Sequence, residues 1–340
     1  MSTKHIGRQS IALQNPPAIV GNACCVGEKE GQGPLGNSFD RVSHDSFFGE
    51  KSWEKAESTM MSGTFSLALQ KAGIQADAVD YLLAGDLLNQ CISSTFGLRD
   101  TSIPFFGLFG ACSTMTEGLA LASLLIDGGF ADTTAAVTSS HFCSAERQFR
   151  FPLEYGGQRP PTSQWTVTGS GAVILKAEGE GPFVTHVTPG RIVDAGIKDA
   201  NNMGAAMAPA AYDTLRAHFN DLSLSPSDYD LILTGDLGKV GGDILIDLFR
   251  QDGVELAPVY NDCGLLIFDL ESQDVHAGGS GCGCCGSVLC GYVLNGMRAG
   301  RWNKVLVAAT GALMSTTSSQ QGESIPAICC AVTISNTRWG

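Results

Sequence analysis

The segment DYLLAGDL at residues 80–87 recurs as DLILTGDL at residues 230–237, an offset of 150 residues. Each copy is a short apolar run that ends in Gly-Asp-Leu, and such a run bounded by turn residues is typical of a buried strand. Each copy follows a helical stretch, residues 57–72 in the first case and 210–220 in the second. The repeat predicts a chain built from two related halves.

The similarity extends to a second pair of segments, 110–140 and 281–311, at an offset of 171 residues. Each reads as a strand end, an apolar helix, a glycine turn and another strand. Glycine after a helix is the usual left-handed cap, and helices that are apolar nearly all round are buried on both sides. The predicted pieces are helices at 113–127 and 287–298, strands after them at 133–138 and 304–309, and closing strands at 166–176 and 327–335.

Strands that alternate with helical crossovers predict largely parallel sheets. Two such halves, each with one buried helix, give an α/β fold arranged as a five-layer α-β-α-β-α sandwich. We place the halves at residues 1–180 and 181–340. Ligands of α/β proteins gather at the carboxyl ends of the strands, so the sequence predicts a site where the two halves meet.

A cysteine stands at the start of the first buried helix, in the stretch Phe109-Gly-Ala-Cys112-Ser-Thr-Met-Thr-Glu117. Thr114 and Glu117 fit the capping box T-x-x-E. A thiol at a helix N-terminus meets positive partial charge, which favours the thiolate. Cys112 therefore occupies the position of a nucleophile, and the question is whether the chain supplies a base for it.

Composition excludes several classes of protein. The chain has 340 residues, 44% of them hydrophobic, and a net charge of −13, which argues against nucleic-acid binding because that needs a basic face. We see neither an apolar run of about 20 residues, the length that spans a bilayer, nor a signal peptide, so we expect synthesis in the cytoplasm. The twelve cysteines lack the spacing of zinc sites, and we expect no metal site and no cofactor.

The duplicated halves, the Gly-Ala-Cys112-Ser helix start and the strand GSGAVIL at 169–175 resemble the thiolase superfamily, especially ketoacyl-ACP synthase III. The resemblance spans residues 19–334. More narrowly, the chain resembles the stage V sporulation protein AD family. The stretches that carry this narrower resemblance are NACCVGEKEGQGPLG at 22–36, DSFFGEKSWEKAES at 45–58 and TSQWTVTGSG at 162–171.

The family resemblance implies a ligand and a setting that composition and spacing do not. It implies binding of dipicolinic acid or calcium dipicolinate and a role in moving it into the developing spore. The implied partners are other membrane proteins of the uptake complex, with peripheral association at the spore inner membrane. It also implies a homodimer that pairs through an edge strand, for which 133–138 is our candidate.

Condensing enzymes of this superfamily use a histidine together with a second histidine or an asparagine, and both positions differ here. In the first loop, the histidine position falls on Gly235 and the asparagine position on Gly238. In the glycine-rich loop at 279–286, Ser280 takes the place of the second histidine or asparagine. The sequence therefore predicts a nucleophile's position without its bases.

A flat diacid would need amide donors, hydroxyl groups, an apolar slot and a cation. The helix start offers amides near Cys112 and Ser113. Asp86 and Asp236 end the repeated strands. Each could stabilise the turn after its strand or position calcium or the ligand, and the sequence leaves both interpretations open. An arginine from the segment after His141 could donate two hydrogen bonds to a carboxylate of the ligand. Arg159 and His276 are further candidates for contact with the ligand. The predicted ligand-binding residues are Cys112, Ser113, His141, Arg147, Arg150, Asp236, Ser280 and Gly281.

Three hypotheses remain open from the sequence. The first is a non-catalytic binding protein for a small diacid. The second is an active acyltransferase or condensing enzyme that uses Cys112 as its nucleophile. The third is a structural scaffold for a membrane complex, with a vestigial pocket.

Overall fold

The structure, a computed structural model, describes residues 4–149 and 159–338. Five strands of the first half form one mixed sheet in the spatial order β3-β2-β4-β5-β1. Strands β2, β3 and β4 run parallel to one another, whereas β5 is antiparallel to both of its neighbours. The strands are β1 (Ala18–Val26), β2 (Tyr81–Gly85), β3 (Phe105–Gly107), β4 (Thr133–Ser140) and β5 (Gly169–Lys176).

The second half repeats this arrangement strand for strand, in the order β8-β7-β9-β10-β6. The two sheets touch through one antiparallel pairing of β1 with β6, between Ala18 and Phe183. The matching order, including one antiparallel strand in the same place, confirms the duplication that the repeated sequence predicts. These strands are β6 (Phe183–Pro189), β7 (Leu231–Thr234), β8 (Tyr260–Asp262), β9 (Lys304–Ala312) and β10 (Ala327–Ser335).

Within residues 4–149 and 159–338, seven longer helices complete the layers. Helices α1 and α5 cover the outer faces of the first and second sheets, and α3 and α7 lie side by side between the sheets. This confirms the five-layer sandwich. The helices are α1 (Trp53–Ala72), α2 (Ile92–Leu98), α3 (Thr114–Asp127), α4 (Phe142–Phe149), α5 (Met203–Leu222), α6 (Gly238–Gln251) and α7 (Cys282–Val288), which continues through a π turn at Leu289–Val293 into Leu294–Arg298.

Shorter elements tie the ends of these layers together. Trp165–Thr166 pairs in parallel with Gly279–Ser280 and brings the glycine-rich loop beside the first half. None of the helices in 4–149 and 159–338 is long and apolar enough to span a membrane. The remaining short elements are strands His5–Ile6, Ser10–Ala12 and Arg41–Val42 and helices Glu28–Gly31, Cys263–Leu266 and Thr316–Gln320.

The predicted helix starts differ from the observed ones in the second half. Helix α5 begins seven residues before the predicted start at 210, because the Asn202 side chain caps the amide of Ala205. Helix α7 begins at Cys282 instead of 287. Its first turn is rich in glycine, which lowers helix propensity, but the turn is completely buried between the sheets. Packing therefore overrides propensity there.

The prediction that strand 133–138 lies at a sheet edge is wrong. Strand β4 is buried along its whole length between β2 and β5. The edge of this sheet is β3, all of whose residues are exposed, and it pairs only with β2 among the described strands. The sequence order misleads here, because the crossover through α3 returns the chain to the middle of the sheet.

Close backbone contact holds α7 against the first sheet. A side-chain carbon added at Gly171 of β5 would lie 2.3 Å from the carbonyl oxygen of Gly286 in α7. By contrast, a carbon added at Gly118 of α3 would make an ordinary 3.4 Å contact with Ala136 of β4. The two glycines therefore differ in whether the layers have room for a methyl group.

We expect Gly171→Ala to lower the free energy of unfolding by about 1–3 kcal/mol, because the added methyl group overpacks the contact between helix and sheet. Gly118→Ala is the matched control. It should be neutral or stabilising by about 0.5–1 kcal/mol, because alanine favours the helix. Urea unfolding followed by circular dichroism measures both changes, and equal effects in the two variants would contradict this account of the contact.

Candidate functional site

Cys112 lies in a tight turn before α3, where strands and helices of both halves converge. Ala111 takes the left-handed conformation (φ 50°), and a 3-10 turn at Ala111–Ser113 leads into the helix. The hydroxyl of Thr114 donates to the carbonyl of Ala111 at 2.7 Å. No side chain caps the helix at Ser113. The predicted capping box is therefore wrong, because the turn lengthens the helix start and draws Thr114 back onto a carbonyl.

The carboxyl group of Asp236 lies against the thiol of Cys112 and hydrogen-bonds to it. Asp236 follows β7 and is completely buried. Its Oδ2 accepts hydrogen bonds from the amide of Gly281 at 2.9 Å and from the hydroxyl of Ser280 at 3.4 Å, and its Oδ1 accepts one from Thr310 at 3.3 Å. The repeated Gly-Asp-Leu segment thus delivers an acid to the cysteine across the two halves.

This contact changes the protonation of both groups. Burial, together with the carboxyl of Asp236, raises the pKa of the Cys112 thiol well above its usual value. Burial likewise raises the pKa of Asp236 to about 7, although its hydrogen bonds with Cys112 and Gly281 oppose that rise. The sequence-based expectation of a stabilised thiolate is wrong, because a neighbouring acid and burial outweigh the helix terminus.

The two positions that hold bases in condensing enzymes have no room for them. A side-chain carbon at Gly235 would lie 2.9 Å from the Cβ of Ala309. One at Gly238 would lie 2.4 Å from the carbonyl oxygen of Ala277. The predicted loss of both bases thus coincides with close packing at each position. Of the three replaced positions, Ser280 is the one that lines the cavity with Cys112.

Cys112 opens onto a small cavity of about 50 Å³. This volume is far below the roughly 300–1,000 Å³ of ordinary ligand pockets. No histidine is among its lining residues in the described chain. The lining residues are Leu87, Phe109, Ala111, Cys112, Ala145, Glu146, Phe149, Thr166, Met203, Met207, Ser280, Ala312 and Met314.

Sequence reasoning missed most of this lining. Glu146 and Thr166 are both buried, and the hydroxyl of Thr166 donates to Glu146 at 3.1 Å. Met203 and Met207 are one turn apart on α5, so both face the cavity. Thr166 lies in one of the motifs that carry the family resemblance, but nothing in the sequence ties α5 to Cys112. That proximity follows from the packing of the two halves.

The structure brings together four of the predicted ligand-binding residues, Cys112, Asp236, Ser280 and Gly281. The amide of Gly281, which we expected to contact the ligand, instead donates a hydrogen bond to Asp236. Ser113 is buried and its hydroxyl donates to the carbonyl of Gly110 at 2.7 Å, and it is not part of the cavity lining. Arg150 lies outside the described residues.

His141 and Arg147 are placed away from the cavity. His141 is buried and its Nε2 bonds to the carbonyl oxygen of Ser46 at 2.8 Å. Burial lowers its pKa, which keeps the ring neutral. Arg147 forms an ion pair with Glu54 and stacks on Trp53. It faces an open groove on the other side of α4.

The remaining possibilities from the sequence also have other contacts. Arg159 pairs with Asp274 at 2.9 Å, and His276 meets the same carboxylate at 3.4 Å. Asp86 accepts hydrogen bonds from the amide of Leu88 at 2.9 Å and from Ser94. The bond to Leu88 is the turn chemistry that one interpretation of Asp86 predicted.

Comparison with solved structures defines the class of the fold. The chain superposes on 3-oxoacyl-[acyl-carrier-protein] synthase III from Aquifex aeolicus VF5 with a TM-score of 0.56 and 12% identity, covering 94% of this chain and 99% of that one. For cerulenin-bound OleA of Xanthomonas campestris the TM-score is 0.58 at 13% identity, covering 94% and 96%. The fold is therefore thiolase-like.

Sequence comparison identifies the family within that class. The family model for Stage V sporulation protein AD (SpoVAD) matches residues 7–335. The curated stage V sporulation protein AD of Bacillus subtilis (strain 168) is 47% identical over 325 residues, which cover 96% of each chain. The chain belongs to the stage V sporulation protein AD family.

The pairing of acid and thiol predicts how Cys112 reacts. At pH 8, Asp236 is ionised and its charge disfavours the thiolate, so Asp236→Asn should speed alkylation of Cys112 by iodoacetamide about tenfold for each unit by which its pKa falls. Peptide mass spectrometry measures the rate. Cys143 of α4, which is also partly exposed, is the internal reference and should react at an unchanged rate. A slower Cys112 in the variant would contradict the assigned contact.

Proposed function

We propose that this chain is a non-catalytic binding protein for dipicolinic acid, free or as its calcium complex, and that it supports uptake of this diacid into the developing spore. The observation that carries the proposal is the Asp236–Cys112 pair at the end of the cavity. A thiol held protonated beside an acid offers hydrogen bonds to a ligand and not a nucleophile. Membership of a sporulation family supports the biological setting.

The lining of the cavity supports a flat ligand with polar groups. Most of the lining is apolar, and Cys112, Glu146, Thr166 and Ser280 add polar groups to it. The cavity must widen to admit a ring, and three methionines and Phe149 line it. Methionine side chains change conformation at low cost. A slot that opens around a rigid ring is consistent with selective binding.

Charge distinguishes the two forms of the ligand. Asp236 has a pKa of about 7. Below pH 7 it is protonated, so the Cys112 thiol and the Ser280 hydroxyl beside it meet the ligand without a neighbouring charge. Above pH 7 it is ionised, and its charge repels a free diacid. The same charge favours a ligand that carries a calcium ion, because opposite charges attract through the cavity wall. No cluster of three metal-binding side chains occurs in the described ranges, so the calcium would arrive with the diacid.

Calorimetry should detect saturable binding of dipicolinate to the wild-type protein. For the free diacid, affinity should fall as the pH rises from 6 to 8, by at most tenfold per pH unit, because one ionising group opposes the ligand. Asp236→Asn should bind the free diacid equally at both pH values. For the calcium complex the trend should reverse in the wild type. An absence of any binding at high ligand concentration would overturn the proposal.

A second candidate, an acyltransferase that uses Cys112, is favoured by one observation. An acid with a pKa of about 7 beside a thiol has the pKa that suits a general base. This candidate requires a covalent acyl group on Cys112 after incubation with acyl-CoA. We expect the intact mass to remain unchanged. A mass increase in the wild type that is lost in Cys112→Ser would favour the enzyme and contradict the binding protein.

We also propose that two copies pair through β3 and that other membrane proteins of the uptake complex hold the dimer at the spore inner membrane. The free edge of β3 presents unpaired backbone groups, which readily pair with another strand. Phe106 of this strand is 46% exposed and nearby Phe109 is 47% exposed. Phe109 also lines the cavity, so the proposed dimer contact adjoins the ligand site.

Phe106→Asp should convert the dimer to a monomer in analytical ultracentrifugation, because it places a charge in an apolar contact. Gln251→Asp adds the same charge at the exposed end of α6 and should leave the dimer intact. Unchanged thermal unfolding of the Phe106→Asp monomer would show that only association is lost. A wild-type protein that is monomeric at all concentrations would refute the pairing.

A further inference from the structure

Two acidic side chains are buried side by side behind α4, away from the cavity lining. Glu57 projects from α1, and Asp86 follows β2; both are at most 1% exposed. Oε1 of Glu57 accepts a hydrogen bond from the hydroxyl of Ser139 at 2.9 Å, and its Oε2 accepts one from Ser144 at 2.8 Å. Asp86 accepts two from Ser94, at 2.6 and 2.8 Å. We call Glu57, Asp86 and these three serines the carboxyl cluster.

The cluster joins parts of the fold that are far apart in sequence. Ser139 belongs to β4, whereas Ser144 belongs to α4. Glu57 thus receives one hydrogen bond from the sheet and one from a short helix, through the same kind of donor. Replacing either serine removes one of the two donors to a completely buried carboxyl group, and a buried polar atom that loses its partner is destabilising, so the loss of either bond should be measurable.

Helix α4 forms one wall of the ligand cavity. Ala145, Glu146 and Phe149 line the cavity, and Ser144 is the residue immediately before them. The helix is described over Phe142–Phe149, and most helical stability in proteins comes from tertiary packing. The bond from Ser144 to Glu57 fixes the helix from the face opposite to the cavity.

We propose that Glu57 positions helix α4 through Ser144 and thereby sets the wall of the ligand cavity. Glu57 itself touches no ligand; it is a positioning residue. Its effect on ligand affinity rests on the proposed function, whereas its effect on the helix does not. The two effects can therefore be measured separately on the whole protein.

The cluster should also make the position of α4 sensitive to pH. Burial and the neighbouring Asp86 raise the pKa of Glu57 to about 8. Neutral Glu57 stabilises the position of α4. This stabilisation is complete below the usual carboxyl pKa and is lost as the pH rises through about 8, because two adjacent charges then repel each other. Other ionisable groups nearby are the thiols of Cys91 and Cys282, on which Asp86 acts, and the Glu54–Arg147 ion pair between α1 and α4.

The two serine bonds provide a matched pair of variants. Ser144→Ala removes the bond from α4, and Ser139→Ala removes the equivalent bond from β4. Amide hydrogen exchange of residues 142–149, measured by mass spectrometry without ligand, reports the helix directly. We expect exchange to rise about three- to tenfold in Ser144→Ala, the change that loss of one ordinary buried hydrogen bond implies, and less than twofold in Ser139→Ala.

Glu57→Gln provides the pH control, because the amide keeps an acceptor oxygen and never ionises. Corrected for intrinsic rates, exchange at 142–149 should increase in the wild type between pH 7 and 9 and stay constant in Glu57→Gln. Dipicolinate affinity, measured at pH 6.5, should fall in Ser144→Ala and not in Ser139→Ala. If the wild type binds no dipicolinate, the proposed function fails while the exchange result still decides the role of Glu57. Equal exchange in the two serine variants would overturn the inference.

Discussion

The packing of two helices side by side between two sheets is the constraint on which this structure depends. Helices α3 and α7 must approach each other and both sheets, and at Gly171 and Gly286 the backbones come too close for a side chain. This arrangement places the N-terminal ends of both helices beside the strand ends of the opposite half. Cys112 and Asp236 are distant in sequence, and they lie side by side because the layers pack closely.

The same duplication produces two acids with different roles. Asp86 and Asp236 end equivalent strands and carry equivalent sequence around them. Asp236 bonds to Cys112 at the cavity, whereas Asp86 is enclosed with Glu57 in the carboxyl cluster. A repeated Gly-Asp-Leu segment thus places one acid beside Cys112 and the other beside Glu57, behind helix α4. Divergence of the surrounding residues, and not of the acids, separates the two roles.

The protonation and packing of this site support the proposed binding role over bond breaking. Burial raises the pKa of both the thiol and its neighbouring acid, and an uncharged pair costs less to bury than an ion pair. The positions of the missing bases are closed by Ala309 and Ala277. Side chains at these two positions would therefore require changes in packing as well as in residue type. These features support the view that the thiolase-like fold serves here as a scaffold for a small ligand.

The sequence by itself determined the layers, the duplicated strands and the position of Cys112. The spacing of apolar residues, the glycines that end helices and the repeated segments can all be recognised without the tertiary structure. It also predicted that Gly235, Gly238 and Ser280 replace the bases. Only the tertiary structure decided which strand forms the edge, which residues line the cavity and how Cys112 is protonated. Those properties depend on burial and on contacts between residues that are far apart in the chain, such as Cys112 and Asp236, and no local pattern records either.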